Sequence, residues 1–418
     1  MTKKLLITTS LLLLIFSGCS KDNLIENPTN GSENPDMGSG EIKDHFFLIN
    51  DAGSNRVYLM NKKEENIFEW QLEAGIGNDC VLMDNGQLLA ILQADDPSIE
   101  FGGYGGKLQI INSDFSIEWE YIISDENKMA HHDIEMLPNG NILAIVWDRK
   151  SAEEAKEVGF KENYAVYPET ILEINPGTNQ VVWEWNSWDH LIQDYDSSKR
   201  NFGDVSSNPS KININYSLVS NGDIMHANGL DYDPENDLIY LSVNFFSEIW
   251  VIDHSTTTET AKTDSGGRFN KGGDLIYRFG NPEAYQNEKG ERLFHNNHYP
   301  NLISENGKNK MLVFMNGNNI EQSSVYEFDL NLIPELKENV DNEPPLLWEF
   351  TDSKLFSSKV SGAELLSNGN ILITIGTSGI WEVNREGEVL WKFEGDGFYW
   401  RTYPYHKDSD AIFNLNLE

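Results

Sequence analysis

Basic residues and cysteine are scarce in this 418-residue sequence. Lys and Arg number 31 against 67 Asp and Glu, which gives a formal net charge of −36. Binding to phosphate backbones requires clustered Lys and Arg, so this charge balance argues against nucleic acid as a partner. The two cysteines, Cys19 and Cys80, are too few for a disulfide-rich scaffold. Because the net charge is strongly negative, local hydrogen-bond donors must dominate at any site that binds an anion.

Long apolar runs are also scarce, and the conspicuous one lies at the N-terminus. Leu5–Phe16 is shorter than the roughly 20 residues that a membrane-spanning helix requires. Lys3 and Lys4 precede it, which is the charge order of a signal peptide. The following Phe16-Ser-Gly-Cys19 resembles the lipobox of bacterial lipoproteins, in which cleavage leaves a lipid-modified cysteine. We expect residues 1–18 to be a lipoprotein signal peptide; the alternative is a signal peptide that is cleaved without lipidation.

The segment after the cleavage site is too polar to form a core. Residues 19–42 are rich in Ser, Asn, Gly and Pro and are expected to form a flexible tether behind a lipidated Cys19. The lipid would be the only contact with a membrane and would hold the protein in the cell envelope, in the periplasm or exposed at the outer membrane. Residues 43–418 are expected to form a single domain, in which Cys80 has no cysteine partner.

Two short patterns alternate along this domain. The first is a strand centred on Trp or Tyr, which occurs at 67–71, 117–121, 181–185, 275–279, 346–350 and 389–393. The second is a hairpin turn between apolar runs, at 85–89, 139–143, 235–239, 308–312 and 368–372. Three of these turns contain Asn-Gly, the strongest short-range hairpin signal. The alternation predicts six β-units, with insertions at 149–168, 187–215 and 255–272.

The two ends of the domain complete one another. The last aromatic strand, 389–393, has no hairpin after it, whereas the hairpin at 46–59 has no aromatic strand before it. Pairing them would close a ring. We therefore predict an all-β fold, a six-bladed β-propeller with ring closure across the termini. A pair of β-sandwiches is the alternative.

Three histidines occur at about the same position in their units. His132, His226 and His298 each lie roughly seven to ten residues before a hairpin turn. Equivalent positions of a radial fold converge on its axis, so the three imidazoles are expected to meet. A neutral imidazole can attack an electrophile while a protonated neighbour supplies charge and a proton. A register error reverses which side chain faces the axis, and it would let His131 or His295 take the role of the neighbouring histidine.

Other catalytic signals are absent from the sequence. Imidazole can bind Zn, Cu or Ni, but no second set of Cys or carboxylate ligands recurs at this phase and no His-Glu-x-x-His occurs. No Gly-x-Ser-x-Gly elbow or phosphate loop is present either. The sequence therefore predicts neither a metal nor a cofactor and favours histidine as the nucleophile.

Several ordered segments carry a family resemblance. They are 247–258, 272–285, 293–298, 323–328 and 361–379, together with His131-His132-Asp133 and His226-Ala-Asn228. Over residues 75–405 the sequence resembles the bacterial aryl-sulfate sulfotransferases, the family that uses no nucleotide sulfate donor. The resemblance implies a propeller with a central site, at which a histidine takes a sulfuryl group from an aryl sulfate and passes it to a phenol.

The resemblance also assigns roles to residues. His298 matches the nucleophile that becomes sulfohistidine, and His132 and His226 match the other active-site histidines. The neighbours expected to contact the substrate are His131, Asn228, Asn244 and Asn297. Phe398, Tyr399 and Trp400 lie beyond the last aromatic strand and are candidates for an aromatic-acceptor cleft.

The sequence departs from the family at one charged position. Relatives usually carry an arginine where Asn244 stands, and the segment 315–322 also lacks a basic residue. Arg278 and Arg401 are candidate substitutes, although pairing with carboxylates would neutralise both. The missing arginine favours a non-catalytic binding propeller as the runner-up function. A metal-dependent hydrolase or lactonase of similar architecture is a third interpretation.

Overall fold

The computed structural model describes residues 40–305 and 307–417. The predicted signal peptide, the lipidated Cys19 and nearly all of the predicted tether lie outside the described residues. In the described part, no helix is both long and apolar enough to cross a membrane.

The described chain is built almost entirely from short strands. In chain order they are β1 (His45–Asp51), β2 (Arg56–Met60), β3 (Asn66–Glu69), β4 (Ile76–Leu82), β5 (Leu88–Gln93), β6 (Gly106–Ile111), β7 (Ile117–Ile122), β8 (Lys128–Met136), β9 (Ile142–Asp148), β10 (Glu169–Asn175), β11 (Gln180–Asn186), β12 (Leu191–Ile192), β13 (Ile212–Asn213), β14 (Ala227–Asp233), β15 (Leu238–Val243), β16 (Glu248–Asp253), β17 (Tyr277–Phe279), β18 (Asn297–Glu305), β19 (Lys308–Met315), β20 (Ser324–Asp329), β21 (Leu346–Phe350), β22 (Gly362–Leu365), β23 (Ile371–Ile375), β24 (Gly379–Val383), β25 (Val389–Glu394) and β26 (Tyr399–His406). The helices are α1 (Ala152–Glu157), α2 (Thr258–Ala261) and α3 (Asp410–Asn414), with 3₁₀ turns at Ser187–His190 and Pro282–Tyr285.

The strands pair in sequence order, which is the arrangement of a β-propeller. Four separate sheets have four strands each, in the orders β26-β1-β2-β3, β14-β15-β16-β17, β18-β19-β20-β21 and β22-β23-β24-β25. A fifth sheet has eight strands, β11-β10-β9-β8-β4-β5-β6-β7, and β12 pairs with β13 alone. The predicted all-β class and propeller arrangement are thereby confirmed.

The number of separate four-stranded sheets is four, not the six predicted from the sequence. The other eight strands belong to one sheet because a parallel bridge between Asn78 and His132 joins β4 to β8. At that bridge both residues have a positive φ, 109° for Asn78 and 60° for His132. Strand pairing therefore continues from one four-stranded group into the next at this point.

The two ends of the described chain share a sheet. β26 pairs antiparallel with β1, from His45 opposite His406 to Asp51 opposite Tyr399. β26 also contacts β4 and β22, while β8, β14 and β18 contact one another in succession between them. The first strand of each four-stranded group and the last strand of the chain therefore lie side by side.

Tryptophans on the outer strands link neighbouring groups of strands. The indole nitrogen of Trp119 in β7 donates a hydrogen bond to Asn179 Oδ1 at 2.7 Å, in the turn between β10 and β11. Trp348 in β21 likewise donates to the Arg385 carbonyl at 2.9 Å, after β24. For Trp119 and Trp348 the aromatic repeat in the sequence therefore corresponds to packing between sheets, with the indole N–H satisfied on the adjacent unit.

Candidate active site

The three predicted histidines occupy backbone irregularities at the same end of the inner strands. The pairing register shifts beside His132 in β8, between Ala227 and Gly229 in β14, and between His298 and Pro300 in β18. His132 and His226 have left-handed backbones, with φ of 60° and 54°. β-Bulges redirect side chains, and strained non-glycine residues concentrate at functional sites. The bulges turn these imidazoles out of the regular strand alternation.

All three imidazoles line one cavity of about 330 Å³. Its other neutral polar side chains are the Ser358 hydroxyl and the amides of Asn78, Asn244, Asn296 and Asn318, and its aromatic side chains are Phe245, Phe398 and Trp400. Among the described residues that line the cavity, Lys359 alone has a formal charge and none is a carboxylate. A chain with a net charge of −36 thus contains a cavity suited to an anion.

The aromatic rings fix the spacing of the histidines. The ring centroids of His132 and His226 lie 4.7 Å apart at an interplanar angle of 80°. Trp400 lies between His132 and His298, at 5.5 and 5.9 Å from their centroids. The predicted convergence of the three histidines is therefore present in the structure.

Hydrogen bonding determines which nitrogen of His298 is free. Its Nδ1 lies 2.6 Å from Asn316 Oδ1. The Asn316 amide nitrogen donates to the carbonyls of Ser357 and Val360 at 2.9 and 3.1 Å, so its oxygen is the group that faces the imidazole. Nδ1 must then carry the proton, which leaves a lone pair on Nε2. Burial lowers the pKa of His298 to about 3, so the ring is neutral at physiological pH.

His226 has a carboxylate partner. Its Nδ1 lies 2.5 Å from Oδ2 of the buried Asp223. The ring stacks on Phe245, with centroids 4.7 Å apart and planes at 16°. The carboxylate accepts a hydrogen bond from Nδ1–H, which leaves Nε2 available for proton transfer.

A chain of buried groups lies behind His132. Its Nδ1 is 2.8 Å from Nδ1 of His131, and Nε2 of His131 is 2.9 Å from Glu169 Oε2. His131 also stacks on Trp147, with centroids 3.6 Å apart. Burial lowers the pKa of His132 well below its usual value, with the neighbouring His226 adding to the effect. His132 therefore connects the cavity to an interior carboxyl group.

Comparison with known proteins decides the family. A model described as Arylsulfotransferase (ASST) matches residues 32–396. The chain belongs to the arylsulfotransferase family. No curated protein matches it.

Solved structures similar to this arylsulfotransferase family member are distant. They include a functionally unknown protein from Desulfotomaculum acetoxidans (9% identity, 86% of this chain and 99% of that one, TM-score 0.43). A putative 6-phosphogluconolactonase from Bacteroides fragilis has 10% identity over 87% of this chain and 98% of its own, with a TM-score of 0.43. The β-propeller domain of Myceliophteria thermophila Cps50 (Swd1) has 11% identity over 82% and 81%, with a TM-score of 0.37. With TM-scores this low, they carry no argument about function.

Three of the four residues expected to contact an arylsulfotransferase substrate lie behind the cavity. His131, Asn228 and Asn297 are fully buried and do not line it. The amides of Asn228 and Asn244 donate to the Asn297 carbonyl at 2.8 and 3.0 Å, which holds the strand next to His298. The bulges direct His132 and His298 into the cavity and their neighbours His131 and Asn297 away from it. Contact of these three residues with a substrate stays a prediction. Asn244 does line the cavity.

The candidate substitutes for the family arginine are neutralised. Arg401 donates from two nitrogens to the carboxylate of Asp133, both at 2.9 Å. Arg278 donates to Glu248 from Nε at 2.8 Å and pairs with it a second time. Neither arginine lines the cavity, as pairing with carboxylates predicted. Lys359 supplies the cationic side chain instead.

Sequence reasoning missed Asp223, Glu169, Asn316 and Lys359. Asp223 is only three residues before His226, so a carboxylate so close to a candidate histidine was a detectable signal. Glu169 lies 38 residues from His131, and Asn316 lies 18 from His298. Those contacts depend on strand pairing that local patterns do not specify.

Proposed function

We propose that this protein transfers a sulfuryl group from an aryl sulfate to a phenolic acceptor through a sulfohistidine at His298, without a nucleotide sulfate donor. Membership of the arylsulfotransferase family supports the reaction class. The observation that carries the mechanism is the Asn316 contact, which leaves a neutral Nε2 lone pair on a histidine that lines the cavity. His226 and His132 are the proposed proton donors.

The first step forms one bond and breaks another. Nε2 of His298 attacks sulfur as the bond between sulfur and the aryl oxygen breaks. The imidazole gains the sulfuryl group and a positive charge, which the Asn316 oxygen stabilises through the Nδ1 proton. The departing phenolate takes a proton in the cavity. In the second step an acceptor phenol loses its proton and its oxygen attacks sulfur, which restores His298.

The cavity lining suits the transition state of this transfer. Negative charge spreads over three sulfuryl oxygens, and preorganised donors lower the barrier by stabilising it. Lys359 can donate to these oxygens, and so can the second amide hydrogen of Asn244, because the first is donated to the Asn297 carbonyl. Phe398 and Trp400 present apolar surfaces for the aryl rings, whereas Tyr399, the third member of that predicted cleft, does not line the cavity.

The same proposal covers the number of blades, the closure of the ring and the cellular location of the protein. We count the eight-stranded sheet as two blades, which gives six blades for the domain at residues 43–418. The pairing of β26 with β1 and the contacts of β26 with β4 support a ring that closes across the termini. The lipobox-like Phe16-Ser-Gly-Cys19 supports a lipid anchor on Cys19 and a location in the cell envelope.

A colour assay tests this function. The protein is incubated with 4-nitrophenyl sulfate, with and without a phenolic acceptor such as 1-naphthol. Transfer predicts sustained release of 4-nitrophenol only when acceptor is present, together with formation of the sulfated acceptor. Sustained release without acceptor would indicate a hydrolase. Tight binding of the aryl sulfate without turnover would favour the binding propeller that Asn244 suggests.

Lys359→Met is expected to weaken donor binding selectively. The substitution removes the cavity's cationic side chain, and a hydrogen bond to a charged group contributes about 1.5–3 kcal/mol. We expect the KM for the anionic aryl sulfate to rise by about tenfold or more. The KM for an uncharged phenol should change little.

Lys354→Met is the matched control for Lys359→Met. Lys354 is an exposed lysine of the same segment, and it does not line the cavity. Steady-state kinetics with each substrate varied in turn measures both KM values. Equal changes for donor and acceptor, or equal changes in the two variants, would contradict the role of Lys359.

A further inference from the structure

Proton supply poses a problem in this cavity. A phenolate that leaves an aryl sulfate is strongly basic, comparable to a tyrosine side chain with a pKa of about 10. It therefore needs a proton as the bond to sulfur breaks. Burial lowers the pKa of His132 well below its usual value, so an isolated imidazolium is disfavoured there. His132 needs a way to donate a proton without first becoming a buried cation.

The buried chain behind His132 has the connectivity for this task. Glu169 Oε2 lies 2.9 Å from His131 Nε2, and His131 Nδ1 lies 2.8 Å from His132 Nδ1. The side chains of Glu169 and His131 are inaccessible to solvent. Only His132 of the three lines the cavity.

We propose that Glu169, His131 and His132 form a proton relay that delivers a proton from the Glu169 carboxyl group to the leaving phenolate. This inference rests on the proposed sulfuryl transfer. Glu169 and His131 do not touch the substrate and act through His132.

The proton transfers balance along the relay. In the loaded state Glu169 is a carboxylic acid, His131 carries its proton on Nδ1, and His132 carries its proton on Nε2. The His132 Nε2 proton passes to the phenolate oxygen, the His131 proton moves to His132 Nδ1, and the Glu169 proton moves to His131 Nε2. The discharged relay contains a carboxylate and two neutral imidazoles. The acceptor phenol returns a proton along the same path in the second step.

The surroundings of Glu169 allow both states. Burial and the nearby Asp223 carboxylate raise the pKa of Glu169 well above its usual value, which favours the loaded, neutral relay. The backbone N–H of Ala227 donates to Glu169 Oε1 at 2.7 Å and stabilises the carboxylate of the discharged relay. His226 is the nearest competing donor, because Asp223 supports a proton on its ring.

A comparison of two donors tests the relay. Glu169→Gln keeps hydrogen bonds to His131 and Ala227, but an amide does not release its proton. With 4-nitrophenyl sulfate the leaving group is weakly basic, and the first step should slow by less than about threefold. With phenyl sulfate the leaving group needs the proton, and the same step should slow by about 10²-fold. Single-turnover product release, with enzyme in excess and no acceptor, isolates this step.

Glu173→Gln is the matched control for Glu169→Gln. Glu173 lies on the same strand and accepts hydrogen bonds from Asn141 and His254 at 2.6 and 3.2 Å, away from the cavity. It should affect both donors equally. Equal slowing of both donors by Glu169→Gln would overturn the relay in favour of a structural role. Unchanged turnover of phenyl sulfate would overturn it in favour of His226 as the donor.

A second measurement tests the relay without the Glu169→Gln variant, in case that variant does not fold. In the unmodified protein the relay predicts a larger solvent deuterium isotope effect on the first step with phenyl sulfate than with 4-nitrophenyl sulfate. Equal isotope effects would overturn it. Failure of the proposed function is distinguishable from both outcomes, because the unmodified protein would then either release neither phenol or release both continuously without acceptor.

Discussion

Replacement of His298 by Ala is expected to lower sulfuryl transfer by ~10³-fold or more. The variant lacks the lone pair that attacks sulfur, while the Asn316 amide keeps its bonds to the carbonyls of Ser357 and Val360. The loop that carries Lys359 should therefore stay in place, and donor binding should persist. Transfer of sulfate from 4-nitrophenyl sulfate to 1-naphthol measures the loss, and a binding titration with the donor checks the cavity.

His295→Ala is the control for this nucleophile variant. His295 lies three residues earlier, is partly exposed, and does not line the cavity. It should retain transfer close to that of the unmodified protein. Retention of more than about a tenth of the activity in His298→Ala would contradict a covalent intermediate at His298.

The pH dependence offers a further check on His298. Burial lowers its pKa to about 3, so protonation would inactivate the free nucleophile only as the pH falls through that value. An acidic limb of kcat/KM near pH 6 would then belong to another group. Asn316→Ala alters the environment of His298. If an acidic limb of kcat/KM near pH 6 disappeared in this variant, that would contradict a His298 ring that is neutral at that pH.

Replacement of Arg401 by Met is expected to lower the free energy of unfolding by about 3–5 kcal/mol. The guanidinium is buried, donates twice to Asp133, and lies 3.6 Å from Asp79. Its removal leaves two buried carboxylates without a cation. Asp79 already has one oxygen with no hydrogen-bond partner in the described structure. Denaturant unfolding followed by tryptophan fluorescence measures the change.

Arg385→Met is the matched control for stability. Arg385 pairs with Glu327 at 2.9 Å, but about a third of its side chain is exposed. Solvent screens such pairs, so the loss should stay within about 1 kcal/mol. Adding Asp133→Asn to Arg401→Met should restore part of the lost stability. Equal losses of unfolding free energy in the two arginine variants would show that Arg401 is not the main cation that stabilises the buried carboxylates of Asp133 and Asp79.

Much of the architecture is local enough to be predicted from the sequence. In the hairpin after Leu137 the glycine of Asn139-Gly140 has a φ of 81°, which glycine adopts at no steric cost, so such hairpins are specified by a few neighbouring residues. The similar distance of His132, His226 and His298 from these turns predicted that the three side chains converge. The pairing of Arg401 with a carboxylate was also predictable, because burying an unpaired charge is costly.

The rest depends on contacts between distant strands. The bridge between Asn78 and His132 merges two groups of strands, and neither residue belongs to a turn pattern. A bulge determines which of two adjacent histidines enters the cavity, and it places His132 there instead of His131. Glu169 meets His131 from the far side of strand β9, and Asn316 follows β19, the strand paired with that of His298, so no local sequence pattern marks these contacts. The backbone irregularities that direct side chains into the cavity break the regular strand alternation, so the sequence pattern does not predict them.

The pairing of β26 with β1 has a consequence for biosynthesis. Phe398 and Trp400, which line the cavity, and Arg401 beneath it lie within or just before the last strand. A ribosome releases this strand after strands β1–β25 have been made. Chains that stop short of it lack both the aromatic wall and the buried cation beside Asp133, so the proposed activity requires β26 to be made and paired with β1.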